Sequence, residues 1–128
     1  MNPRITAVML GVRDLDRAKA FYGDGLGCKI AQDYPGFAMF DLGEGSSQLA
    51  LYERNAAAQE AGVSAEGSGF RGVSLHFIVG SNEEVDDAIR RVEKAGGSVV
   101  KEPADVQWGY FGYFADPDGY LWKVATSG

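Results

Sequence analysis

Phe114-Ala115-Asp116-Pro117-Asp118-Gly119-Tyr120-Leu121-Trp122-Lys123-Val124-Ala125 consists of two strand-like runs joined by a four-residue turn. The turn fits type I throughout: Asp116 opens it, Pro117 presets the backbone at the second position, and Gly119 closes it. Aromatic and β-branched residues on both sides predict a tight hairpin near the end of a sheet.

Upstream of this hairpin, Val73 to Val79 reads as a strand. Ser81 with Glu84 three residues later is a capping box, and Val85, Ala88, Ile89, Val92 and Ala95 form the apolar stripe of a helix. Gly96-Gly97 stops that helix, and Val99-Val100 and Tyr110 to Ala115 supply further strands. The same order stands earlier in the chain. Ile5 to Val12 reads as a strand, and Asp14 caps a helix whose Leu15, Ala18, Phe21 and Tyr22 recur at helical spacing. That helix ends among Gly23, Gly25 and Gly27, and strands follow at Cys28 to Ala31, Phe37 to Leu42 and Gln48 to Tyr52. Placing Val12 on Val79, an offset of 67 residues, aligns strand with strand and helix with helix.

The expectation is therefore an α+β fold of two βαβββ modules, about 1–53 and 72–128, in a single domain. The Gly-rich connection at about 54–71 would hold a short helix at Ala56 to Ala61. One copy cannot bury both faces of its sheet, so the modules are expected to pair into a curved mixed sheet with helices outside and a cavity within.

A chain of 128 residues buries roughly two-thirds of its unfolded surface, enough for a core without staples. Eighteen acidic against twelve basic residues give a net charge of -6, which argues against a nucleic-acid partner. The single cysteine, Cys28, excludes an intrachain disulfide and a cysteine-based zinc site, and is expected to pack as a small hydrophobe. No run approaches the ~20 apolar residues of a membrane helix, and the N-terminal apolar run ends at Arg13-Asp14. A cytoplasmic location with no membrane partner is the resulting expectation. There is no P-loop, dinucleotide-type glycine run or nucleophile elbow.

Gly11-Val12-Arg13-Asp14-Leu15 running to Phe21-Tyr22 and Leu26-Gly27, then Trp108-Gly109, then Phe114 to Ala125, together resemble the vicinal oxygen chelate superfamily. That group holds glyoxalase I, extradiol dioxygenases, and fosfomycin and bleomycin resistance proteins. In its metal-dependent members, inward side chains of the first strand of each module and the last strand of the second hold a divalent cation. The ion then polarises substrate oxygens as a Lewis acid. Transferred to this chain, the ligand places are Ala7, Ser74 and Lys123. Alanine cannot ligate, a serine hydroxyl ligates poorly and an ammonium repels a cation. The resemblance thus implies the fold without the usual metal, and no cofactor is expected.

His76, the lone histidine, shares a strand face with Ser74. It is expected to be a satisfied core residue, and too far from Ser74 to form a nucleophilic pair, since same-face neighbours lie ~6–7 Å apart. Strand alternation puts Phe111 and Tyr113 on one face and Gly112 and Phe114 on the other. By resemblance the first pair faces the cavity, with Trp108 at its mouth, Met9 on the first strand, and Leu121, Lys123 and Ala125 beside it. The candidate ligand-binding set is therefore Met9, Ser74, His76, Trp108, Phe111, Tyr113 and Lys123, with Lys123 and His76 as candidate catalytic residues. Lys123 could meet an anionic ligand group or, structurally, pair with Asp41 or Glu53.

The function expected is metal-free binding of a small molecule, of the resistance or sequestration type. The alternative is a lyase or isomerase of the glyoxalase kind, using a displaced metal site or metal-free Lys/His chemistry. A third possibility is a regulatory domain with a filled cavity. By family resemblance the chain is expected to form a homodimer.

Overall fold

The hairpin that decided the reading is built as a type I turn followed by a left-handed glycine, with a three-residue connection. Asp116 N–H donates to Tyr120 O at 3.0 Å, and Gly119 N–H donates to Asp116 O at 2.9 Å. Gly119 has φ 86°, a conformation that a Cβ would strain. Asp116 is only 3% exposed. Its Oδ1 accepts from the backbone N–H groups of Asp118 and Tyr120, both at 2.9 Å. Asp116→Ala would orphan two donors at once, and the expected cost is about 2–3 kcal/mol. Urea denaturation checks this: the midpoint should fall while the slope stays unchanged.

In the computed structural model, residues 1, 5–67, 70, 71, 73–106 and 109–126 are described. They form two compact units, Met1–Glu66 and Gly67–Gly128, and the fold class is α+β. The first unit holds β1 (Ala7–Val12), α1 (Leu15–Lys19), a π-helical turn (Ala20–Gly25), β2 (Lys29–Tyr34), β3 (Phe37–Asp41), β4 (Gln48–Glu53) and α2 (Arg54–Ala61). Its four-stranded open sheet runs in the order β1-β4-β3-β2, with β1 and β4 parallel and the other pairs antiparallel.

The second unit holds β5 (Ser74–Val79), α3 (Asn82–Ala95), β6 (Ser98–Val106), β7 (Gly109–Ala115) and β8 (Leu121–Thr126). Its sheet runs in the order β5-β8-β7-β6. Here too the first and last strands are parallel, and β1 and β5 begin and end 67 residues apart. The repeat seen in the sequence is a repeat of topology.

In each sheet one face is dry. In the first unit, Leu10, Val12, Leu49, Leu51, Ala38 and Phe40 alternate inward and are buried, together with Ala18, Phe21 and Tyr22 of the helical segment. In the second, α3 presents buried Val85, Ile89 and Val92, and the strands contribute Phe114 and Val124. The Tyr110 hydroxyl donates to Asp86 Oδ1 at 2.6 Å, fixing the even-numbered side of β7 toward α3. That bond holds the phenol above its usual range, because the carboxylate opposes loss of the proton. Gly112 lies on this side where β6 crowds β7: a Cβ there would stand 3.1 Å from Lys101 O and 3.2 Å from Pro103 Cγ.

Several boundaries differ from expectation for identifiable reasons. β6 runs from Ser98 to Val106, well beyond Val99-Val100. Pro103 and the flanking acids disguise it, and two register shifts accommodate them. β2 extends to Tyr34 because it is an edge strand, every residue of which is exposed, so no apolar alternation marks it. The first helix does not stay α-helical to its end: Leu26 N–H reaches back to Phe21 O at 2.9 Å, a π-type spacing. The helix of the connection begins at Arg54, where Glu53 accepts from the N–H groups of Asn55 and Ala56. The Ser81 side of the capping box is formed, with Glu84 N–H donating to Ser81 Oγ at 3.2 Å.

Candidate functional site

The open face of the second sheet gathers most of the residues singled out from the sequence. Across the four strands, His76 of β5 lies opposite Lys123 of β8, Lys123 opposite Tyr113 of β7, and Tyr113 opposite Lys101 of β6. Directly opposed side chains stand ~4.5–5.5 Å apart at Cβ, so these four form one continuous row. Phe111 sits in the next row, opposite Ala125 and Ala104. The Lys123 ammonium rests 4.3 Å from the centroid of the Phe111 ring and 6.0 Å from that of Tyr113. Lys101 approaches the same Phe111 ring at 5.2 Å. His76 meets Tyr113 edge to face at 6.3 Å, and Phe111 meets Tyr113 in the same manner at 6.0 Å. A ring quadrupole attracts a cation over its face, so Phe111 and Tyr113 hold the ammonium groups close to the sheet surface.

His76 is exposed and is not a core residue. Its strand is the edge strand of its own four-stranded sheet. The expectation that Ser74 lies too far away is also corrected: Ser74 Oγ and His76 Nε2 are hydrogen-bonded at 2.8 Å. Cα spacing along a strand underestimates the reach of an imidazole, which closes the gap. The bond takes either direction according to the imidazole tautomer. Asp41 and Glu53 are engaged within the first unit, Asp41 by Gly43 N–H and Glu53 as the cap of α2. Among the described residues neither Lys123 nor Lys101 is ion-paired with a carboxylate.

The corresponding row of the first sheet is Met9–Ala50–Met39–Gln32, which carries no charge. Met9 is 45% exposed there, opposite in direction to buried Leu10. Ala50 occupies the place that Lys123 holds in the second sheet, and Ala7 the place of Ser74. Trp108 lies outside the described residues. Two members of the pattern escaped the sequence reading. Lys101 was hidden by the bulges of β6, and Ala50 shows only when the register of the two sheets is compared.

A divalent cation does not suit the donors of either sheet. In the second, Ser74 offers only a neutral hydroxyl and Lys123 a positive charge directly opposite the one imidazole; in the first, Ala7 and Ala50 offer nothing to a metal. Among the described residues no three His, Cys, Asp or Glu side chains cluster as metal donors. On the helix side of the first unit, a cavity of about 410 Å³ is walled by the π-helical turn, β2 and half-buried Cys28. Lys19 and Asp33 neutralise each other across its wall at 2.7 Å, and the carboxylate raises the lysine pKa. No helix of the described residues is long and apolar enough to cross a membrane.

Comparison with known proteins agrees with this architecture. A crystal structure of a glyoxalase-related enzyme from Fulvimarina pelagi matches with a TM-score of 0.86 and 26% identity, covering 97% of this chain and 88% of that one. A glyoxalase/bleomycin resistance protein/dioxygenase from Nocardioides matches with a TM-score of 0.82 and 30% identity, covering 99% and 85%. Lactoylglutathione lyase GLX1 of Arabidopsis thaliana is 30% identical over 99% of this chain. The chain spans only 45% of that relative's length. The model of one family matches residues 4–124. The chain belongs to that family, the Glyoxalase/Bleomycin resistance protein/Dioxygenase superfamily.

Proposed function

We propose that this chain is a metal-independent small-molecule binding protein whose ligand lies on the open face of the second sheet, against Ser74, His76, Phe111, Tyr113 and Lys123. The observation that carries the reading is the state of Lys123. Its ammonium occupies a place where the family resemblance implies a metal-ligating acid. There it is held over Phe111 without an ion-pair partner among the described residues. A cation so placed is available to a ligand and hostile to a metal.

Thermal-shift screening of a small-molecule library, with and without EDTA, tests this. Ligands that bind the native state raise its melting temperature. The expected result is a set of hits whose shifts are the same in EDTA and collapse in Lys123→Met. Hits that appear only with added divalent metal would overturn the reading.

One observation favours a second reading, a metal-free enzyme of the glyoxalase type. Ser74 and His76 are hydrogen-bonded beside Lys123, and a curated relative is a lactoylglutathione lyase. Against it, among the described residues no carboxylate orients the imidazole, as an activated nucleophile usually requires. An assay for lactoylglutathione formation separates the two. Binding alone predicts no turnover above the uncatalysed rate, and turnover that survives EDTA but is lost in His76→Ala would favour the enzyme.

A further inference from the structure

Resting on that reading of the site, we propose that the ligand is an aromatic carboxylate. Its carboxylate would be taken by Lys123 and Lys101 and its ring laid along the apolar rows beside them. The charge argument comes first. The chain as a whole carries a net charge of -6, yet two ammonium groups converge on one ring of this face, at 4.3 and 5.2 Å from the Phe111 centroid. Neither is ion-paired among the described residues. Two like charges drawn to the same ring repel, and the ring quadrupole offsets only part of that repulsion. An anion taken up beside them offsets that repulsion and gains charge-assisted hydrogen bonds.

The rows on either side argue for the rest of the ligand. One is Ser74–Leu121–Ala115 and the other Ile78–Ala125–Phe111. Ala115 and Ala125 are small and only 9% and 8% exposed, while Ile78 at the end of its row is 61% exposed. A flat apolar body would lie along the exposed side chains of these rows, with aromatic contacts from Tyr113 and Phe111. The matching row of the first sheet, Met9–Ala50–Met39–Gln32, has no cation. The pair of ammonium groups therefore has no counterpart in the matching row of the first sheet.

Calorimetry with 1-naphthoate on the full chain tests the proposal. The controls are 1-naphthalenemethanol, which lacks the charge, and cyclohexanecarboxylate, which lacks the flat ring. Naphthoate should bind about tenfold tighter than either control, a difference of about 1.4 kcal/mol, and its affinity should fall as salt rises. Lys123→Met and Lys101→Met should each weaken naphthoate about 5- to 10-fold and leave the alcohol unchanged, with near-native circular dichroism confirming the fold. Naphthoate binding no tighter than the alcohol, or an unchanged Kd when Lys101→Met and Lys123→Met are combined, would overturn the proposal. A neutral or cationic ligand that perturbs the amides of β5, β7 and β8 would refute the carboxylate and leave metal-independent binding intact. Binding that requires a divalent metal would refute the earlier reading itself.

Discussion

Ser74→His combined with Lys123→Glu should let the protein take up about one equivalent of Zn(II) or Ni(II) at this patch. Ser74 Oγ already stands 2.8 Å from His76 Nε2, and His76 lies directly opposite Lys123. Two imidazoles and a carboxylate on these three positions share one small patch, within reach of the ~2.0–2.2 Å bonds zinc requires. The native ammonium opposes any cation there, so Lys123→Glu alone should gain less and Ser74→His alone almost nothing. Calorimetric titration checks the stoichiometry, and bound metal should raise the melting temperature, by linkage. No uptake by the double variant would mean that these side chains do not share a face.

Phe114→Ala should be the most destabilising single change on β7, at about 3–5 kcal/mol. The side chain is 1% exposed, with its ring parallel to Trp122 at 6.1 Å and edge-on to Phe77 at 6.3 Å. Truncation removes both ring contacts and leaves a cavity beneath α3. For a chain of this size the melting temperature should fall by ~10–20 °C. Phe111→Ala, three residues away on the open face, should cost under ~1 kcal/mol, because no packed layer of its own unit rests on it. Calorimetric melting of both variants measures the contrast between the dry and the open face.

How much was legible in the sequence follows from which signals were local. The hairpin at Asp116 to Gly119, the stripe of α3 and the 67-residue offset all depend on neighbours in the chain, and all recur in the structure. The alternation that separates Phe111 and Tyr113 from Phe114 is likewise a property of one strand. Cross-strand register is not. Lys101 joins the row only because two bulges reset β6 against β7, and a sequence containing Pro103 conceals that. The exposure of His76 depends on β5 being an edge strand, which pattern alone does not tell. The Ser74–His76 bond depends on side-chain reach, not on backbone spacing.

The central claim, that a cation has replaced the metal on the open face of the second sheet, is tested most directly by elemental analysis of protein purified without chelator. The account predicts Zn, Ni, Fe and Mn each far below one equivalent, in protein that still shows a Lys123-dependent thermal shift with its ligand. One equivalent of any of these metals, removed by chelator together with ligand binding, would contradict it.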